Sequence, residues 1–133
     1  STLFPYTTLF RSTVDDQTFQ VLIDFAHNAH GLSAVCETLT ALPSKRRLVV
    51  AGHVGSHSDE EIREMTRVVA KIQPVYFSVA ELPDYLRERT VGEIPAMVID
   101  ELQHLGYSGE NLGSADTCRE GVQHAVERVP AGD

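Results

Sequence analysis

The chain has 133 residues, of which 42% are hydrophobic and 23% are charged, a composition that suits one globular domain. Its 19 acidic residues outnumber the 11 Lys and Arg residues, and the formal net charge of -8 gives no basic field for binding a nucleic acid or an acidic membrane. Apolar runs reach about five or six residues, far below the roughly 20 that span a bilayer. The two cysteines, Cys36 and Cys118, form no CxxC pair and cannot make a disulfide framework. The sequence therefore predicts a soluble protein of the reducing cytoplasm.

The first twelve residues, STLFPYTTLFRS, differ in composition from the acidic chain that follows, because they contain no acidic residue and repeat Thr-Leu-Phe. Pro5 and Tyr6 interrupt the apolar run that a secretory signal would need. The segment resembles translated sequencing-adapter read-through. We therefore expect residues 1–12 to be a non-native segment and residues 13–133 to be one domain, truncated at both ends.

Short apolar runs alternate with segments of helical period from Thr13 onward. Four strands are predicted, at Phe19–Phe25, Leu48–Ala51, Val75–Val79 and, more weakly, Asn111–Ser114. Helices are predicted between and after them, at Leu32–Leu42, Asp59–Ile72, Ile94–Leu105 and Thr117–Val129. This order predicts an α/β fold, a Rossmann-like three-layer α/β/α sandwich with a mostly parallel sheet. Since the pattern would next supply a strand, we expect the sheet to lack its last one.

Polar residues cluster where the first strand meets the first helix, at Asp24, His27, Asn28 and His30. Ligands of such sheets bind beyond the carboxyl ends of the strands. Asp24 could accept hydrogen bonds from ribose hydroxyls, while His27 and Asn28 could reach phosphates near a helix N-terminus. Alternatively, Asp24 and Asn28 cap the following helix and the histidines are solvated. Position alone leaves both interpretations open.

A glycine-containing turn, Gly52-His53-Val54-Gly55-Ser56, follows the second strand, where backbone amides can cradle an anion. The chain has no GxGxxG, GxxxxGK[ST] or GxSxG motif, so we predict no P-loop and no catalytic residue. His27, His30, His53 and His57 suggest zinc ligands, but no cysteine or carboxylate completes the set, and we predict no metal site.

Two arginines, Arg87 and Arg89, follow the third strand. Guanidinium groups there could grip a substrate carboxylate in a bidentate manner. The alternative is an exposed, salt-bridged loop with Glu81, Asp84 and Glu93.

Three segments occur in an order that resembles the C-terminal domain of the Mur ligase family, and within it most of all cyanophycin synthetase-like members. They are VLIDFAHNAHGL (21–32), RRLVVAGHVGSHSDEEI (46–62) and ELPDYLRERTVGEIP (81–95). The resemblance covers about residues 20–133, and Asp-x-Ala-His-Asn is its most specific part.

The resemblance implies a Rossmann-like domain that closes over a central P-loop ATPase domain. Together they form an ATP-dependent acid–amino acid ligase of peptidoglycan or polypeptide biosynthesis, in which ATP phosphorylates a carboxylate and an incoming amino acid attacks the acyl phosphate. ATP and Mg²⁺ are the implied cofactors, bound mainly by the central domain. The implied partners are the acceptor amino acid and the missing N-terminal and central domains, without which the fragment should be inactive.

The same resemblance assigns roles to individual residues. Asp24 would contact the nucleotide ribose, His27 would lie near the phosphates and Asn28 would shape the loop. His57, Arg87 and Arg89 would face the acceptor amino acid.

The chain departs from the family pattern at two places. His27-Asn28-Ala29 stands where relatives have His-Asn-Pro, and Ser56-His57 stands where they have Asp-Arg. The loss of a charged pair at residues 56 and 57 leaves the acceptor open. It also leaves open a non-catalytic Rossmann-like module that binds a nucleotide or a partner. A folylpolyglutamate synthetase-type ligase shares the Asp-x-Ala-His-Asn element, but the Leu-Arg-x-Arg and Gly-Glu pattern disfavours it.

Overall fold

The computed structural model describes residues 8–14, 16–26 and 28–129. The strands are β1 (Thr8–Val14), β2 (Gln17–Ile23), β3 (Leu48–Ala51), β4 (Tyr76–Ala80) and β5 (Leu112–Ala115). The helices are α1 (Ala29–Ala41), α2 (Asp59–Ala70), α3 (Glu93–His104) and α4 (Cys118–Val126). Short 3₁₀ turns lie at Pro83–Tyr85 and Gly109–Asn111. None of the helices in the described ranges is long and apolar enough to cross a membrane.

Strands β3, β4 and β5 form a parallel sheet in which β4 is central. Helix α2 connects β3 to β4, and α3 connects β4 to β5. Consecutive parallel strands joined through helices are the βαβ arrangement that the alternating pattern predicts. Because the strands are parallel, the residues that follow β3 and β4 emerge at one edge of the sheet, called the carboxyl edge below.

The two faces of β4 carry different side chains because successive residues of a strand point to opposite faces. Phe77 and Val79 are fully buried in the main apolar cluster, which α1, α2 and α3 complete. On the other face α4 packs closely, since a Cβ added at Gly121 would lie 2.9 Å from Cγ1 of Val50 and 3.2 Å from Oγ of Ser78. Helices therefore cover both faces of the sheet, and the predicted three-layer α/β/α fold is confirmed.

The first predicted strand differs from the prediction. Instead of a buried strand at Phe19–Phe25 in the parallel sheet, β2 pairs antiparallel with β1, from Thr8↔Ile23 to Val14↔Gln17. Within the described residues, β1 and β2 form a separate two-stranded sheet. The backbone groups of a strand need partners, and those of β2 find them partly in residues 8–12, which the prediction had set aside. The non-native origin of residues 1–12 and the lack of a last strand stay predictions.

Candidate functional site

Two segments at the carboxyl edge contact each other, residues 52–58 after β3 and residues 81–93 after β4; we call them the rim segments. The amide of Gly55 donates a hydrogen bond to the carbonyl oxygen of Tyr85 over 2.9 Å. A Cβ added at Gly55 would lie 1.8 Å from the carbonyl oxygen of Leu86. Glycine is therefore required at residue 55 by the close approach of the two backbones.

Arg89 joins the rim segments through its side chain. Its Nε donates to the carbonyl oxygen of Gly55 over 3.0 Å, and its Nη2 donates to that of His57 over 2.7 Å. Its Nη1 lies 2.8 Å from Oδ1 of Asp59 and 2.5 Å from Oε2 of Glu93. The hydrogen bonds to Glu93 and then Asp59 raise the pKa of Arg89. These contacts match the alternative of a salt-bridged loop, and substrate binding by Arg89 stays a prediction.

Arg87, in contrast, is exposed, and its guanidinium carbon lies 5.4 Å from the centre of the Tyr85 ring. Arg87 and Glu88 have φ angles of 49° and 73°, in the left-handed region that non-glycine residues seldom adopt. Such backbone conformations cost free energy and persist only where the surrounding structure enforces them. They cluster at functional sites. The turn thus places an exposed cation against an aromatic ring at the rim.

His57 is oriented by a carboxylate at the start of α2. Its Nδ1 lies 3.2 Å from Oε2 of Glu61. Glu61 also forms a capping box with Ser58, in which each backbone amide donates to the other residue's side chain over 3.2 Å. The amide of Ser58, followed by the His57 side chain, lowers the pKa of Glu61. The predicted contact of His57 with the acceptor amino acid stays a prediction.

Two buried titratable residues at the rim were not among the predicted site residues. His53 is 6% exposed, and neither ring nitrogen has a hydrogen-bond partner among the residues that the structure describes. Burial, and secondarily the charge of His57, lowers the pKa of His53 to about 4. Glu81 is 5% exposed, and its carboxylate accepts a hydrogen bond from the amide of Gly92 over 2.7 Å. Their positions directly beyond the ends of β3 and β4 are the sequence signal that could have identified them.

The polar cluster after β2 has local roles in the structure. Oδ1 of Asn28 accepts a hydrogen bond from the amide of Gly31 over 2.7 Å, which makes Asn28 the N-cap of α1. Oδ1 of Asp24 accepts one from the amide of Ala26 over 2.7 Å. The capping alternative therefore holds for Asn28. His27 lies outside the described residues, and the nucleotide contacts of Asp24, His27 and Asn28 stay predictions.

A cleft of about 550 Å³ lies at the opposite, amino edge of the sheet, away from the rim segments. Its arginines are engaged in internal contacts, because Nη2 of Arg46 donates to the carbonyl oxygens of Arg128 and Val129, and Arg128 stacks 4.1 Å from the centre of the Tyr76 ring. The candidate site lies at the rim and not in this cleft, because ligands bind beyond the carboxyl ends of parallel strands.

Among residues 8–14, 16–26 and 28–129, no group of three or more His, Cys, Asp or Glu side chains is placed to hold a metal ion. The described rim offers hydrogen bonding and charge, from Arg87, His57 and the backbone of residues 52–58.

A parallel sheet covered by helices on both faces defines a Rossmann-like α/β domain. The family model for the Mur ligase, glutamate ligase domain matches residues 10–133, and the chain belongs to this family.

Two curated relatives are similar to this chain, and both are named UDP-N-acetylmuramoyl-L-alanyl-D-glutamate--2,6-diaminopimelate ligase. The protein of Listeria monocytogenes serotype 4b (strain F2365) is 27% identical over 118 residues, which are 88% of this chain and 22% of the relative. The protein of serovar 1/2a (strain ATCC BAA-679 / EGD-e) is 25% identical over 117 residues, with the same two shares. The chain thus spans about a fifth of the length of these relatives.

Proposed function

We propose that the chain is the C-terminal domain of an ATP-dependent acid–amino acid ligase, whose rim binds the incoming amino acid while the domain closes on ATP. The observation that carries the proposal is the family match over residues 10–133, which includes both rim segments. The two relatives are named as ligases of an amino acid, 2,6-diaminopimelate. A cytoplasmic location and a cyanophycin synthetase-like subtype are further parts of the proposal.

On the acceptor side, Arg87 binds the carboxylate of the amino acid. Two observations support this role: Arg87 is exposed at the rim, and its guanidinium group lies over the Tyr85 ring. A guanidinium resting on an aromatic face loses less conformational freedom when it binds a carboxylate in a bidentate manner. His57, oriented by Glu61, supplies a second polar group, and the incoming amine attacks the acyl phosphate from this side of the domain.

On the nucleotide side, Asp24, His27 and Asn28 would hold the ATP. The N-terminus of α1 suits a bound anion, because the first turn of the helix contains no acidic residue that would repel a phosphate. Bound ATP supplies the phosphoryl group that activates the carboxylate substrate. As the family resemblance implies, we assign Mg²⁺ mainly to the central domain and expect the chain alone to be inactive.

Binding to the purified chain tests both sides of the proposal. ATP and a panel of L-glutamate, L-aspartate and meso-2,6-diaminopimelate would be titrated while amide signals are followed by NMR. We expect amino acids to shift the rim segments and ATP to shift residues 24–31. Arg87→Gln should weaken amino acid binding about tenfold and leave ATP binding unchanged. The matched control is Arg63→Gln, which loses ion pairs to Asp100 and Glu101 on the outer helices.

Other outcomes would change the conclusion. If ATP binds and no amino acid does, the non-catalytic module favoured by Ser56-His57 replaces the ligase domain. If neither ligand shifts any signal, or if the chain forms an amide without further domains, the proposal is wrong.

A further inference from the structure

We propose that Arg89 is a positioning residue that holds the loop of residues 52–58 in the shape that receives the ligand, and that it does not contact the substrate. The inference rests on the proposed function of the same site. The two rim arginines thus have different proposed roles. Arg87 binds the acceptor amino acid, and Arg89 shapes the surface beside Arg87.

The first observation is the placement of the guanidinium between two backbone carbonyls of the loop. Nε donates to Gly55 and Nη2 donates to His57, over 3.0 Å and 2.7 Å. The donors of a guanidinium are fixed in one plane. Arg89 therefore fixes the distance between the carbonyl groups of Gly55 and His57 and their relative orientation. The backbone hydrogen bond from Gly55 to Tyr85 also holds this loop.

The second observation is the charge around Arg89. Its Nη1 contacts the carboxylates of Asp59 and Glu93, so one cation faces two anions. The Arg89 side chain is only 14% exposed. A carboxylate or phosphate approaching this group would meet a net negative charge, and it would have to displace hydrogen bonds that already exist. The exposed Arg87 carries no such neutralising pair among the described contacts.

The third observation is what Arg89 connects. Asp59 is the first residue of α2 and Glu93 is the first residue of α3. The loop is thus fastened to the first turns of α2 and α3, and the His57 ring lies beside Glu61. Such second-layer support keeps ligand-contacting groups within the small tolerance that binding needs.

The test compares Arg89→Gln, Arg89→Lys and the control Arg63→Gln in the 133-residue chain. NMR reports the amide signals of Gly55 and His57 without ligand, and titrations give the affinities for L-glutamate and L-alanine. We expect Arg89→Gln to shift both amides and to weaken the two amino acids by the same factor, about tenfold. Arg89→Lys keeps the charge but not the planar fork, so it should not restore affinity. Arg63→Gln should change neither property.

Two results would overturn the inference. The first is a loss of affinity in Arg89→Gln with the Gly55 and His57 amides unchanged, since the arginine would then contact the ligand itself. The second is full affinity in Arg89→Lys. If Arg89→Gln does not fold, Glu93→Gln serves in its place, because it removes one of the two ion pairs of Arg89. This variant should shift the amide signals of Gly55 and His57 by a smaller amount. Unchanged signals would overturn the inference. If the unaltered chain binds no amino acid, the proposed function fails, while the amide shifts still decide whether Arg89 holds the loop.

Discussion

The amide of Gly55 donates to the carbonyl oxygen of Tyr85 over 2.9 Å, and this bond brings the backbones after β3 and β4 into direct contact. A Cβ at residue 55 would meet the carbonyl oxygen of Leu86 at 1.8 Å. Because the obstructing atom belongs to the backbone, a rotamer change cannot relieve the overlap. The contact between the rim segments therefore depends on the absence of a side chain at one position.

Gly55→Ala should lower the free energy of unfolding by about 3 kcal/mol, since the rim segments must separate to admit the methyl group. Urea unfolding measures the loss. The control is Gly106→Ala, where φ is 100° but no atom of residues 8–14, 16–26 or 28–129 outside the immediate chain neighbours lies within 4 Å of the added Cβ. That variant should lose only about 1 kcal/mol from backbone strain. Equal losses in the two variants would mean that the close approach at Gly55 costs no more than the backbone strain at Gly106.

The buried His53 should make stability depend on pH. Its pKa is about 4 in the folded chain against an ordinary value of 6.5, so the unfolded chain takes up the proton first as the pH falls. The stabilising contribution is complete above about pH 6.5 and is lost progressively toward pH 4. We expect His53 to lower the free energy of unfolding by about 2 kcal/mol between pH 7.5 and pH 5.

His53→Leu isolates this contribution. The variant should be as stable as the parent chain at pH 7.5, because it also removes two ring nitrogens that have no partner within the described part of the chain. It should lose the additional pH dependence in urea unfolding. His104→Gln is the control, since that side chain is 72% exposed, and it should keep the parent's pH dependence. A His53→Leu variant with the parent's pH dependence would contradict the assignment.

Asn28 allows its capping role to be separated from the proposed nucleotide contact. Asn28→Ala should cost about 1 kcal/mol, because the amide of Gly31 loses its acceptor. Asn28→Asp keeps an acceptor and adds a charge that suits the N-terminus of α1, so stability should be retained. The same charge should weaken ATP binding by repulsion. Thermal unfolding and an ATP titration measure both effects, and unchanged ATP affinity in Asn28→Asp would remove Asn28 from the nucleotide site.

The capping box at the start of α2 should stabilise the folded chain about as much as the Asn28 cap of α1 does. Ser58→Ala removes the acceptor for the amide of Glu61, and we expect a loss of about 1 kcal/mol in urea unfolding. Ser56→Ala changes an exposed serine two residues earlier and should have little effect. If the two variants unfold alike, the cap does not stabilise the helix.

Much of the fold could be predicted from the spacing of apolar residues. The prediction for β3 agrees with the structure residue for residue, and those for β4 and β5 are displaced by one residue. The predicted start of α2 at Asp59 also agrees with the structure, in which Ser58 is the N-cap of that helix. The pairing of β2 could not be predicted, because periodicity describes a strand's faces but not its hydrogen-bonding neighbour. Setting aside residues 1–12 also removed part of the neighbour, β1, from consideration.

The location of the two rim segments could be predicted from the sequence, whereas ligand binding there stays a prediction. Strand ends identified where polar side chains would gather, and the structure brings residues 52–58 and 81–93 together there. Sequence could not separate Arg87 from Arg89, because the two differ in their surroundings and not in their chemistry. Nor could it distinguish Asn28 as a ligand contact from Asn28 as a helix cap, since both use the same side-chain oxygen.

The position of Arg89 between Asp59 and Glu93 has a consequence for local opening. Fraying of the first turn of α2 and fraying of the first turn of α3 would each break contacts of the same guanidinium. The amide protons of these two turns and of the loop between β3 and α2 belong to one opening unit, and we expect them to exchange with solvent deuterium at a common rate.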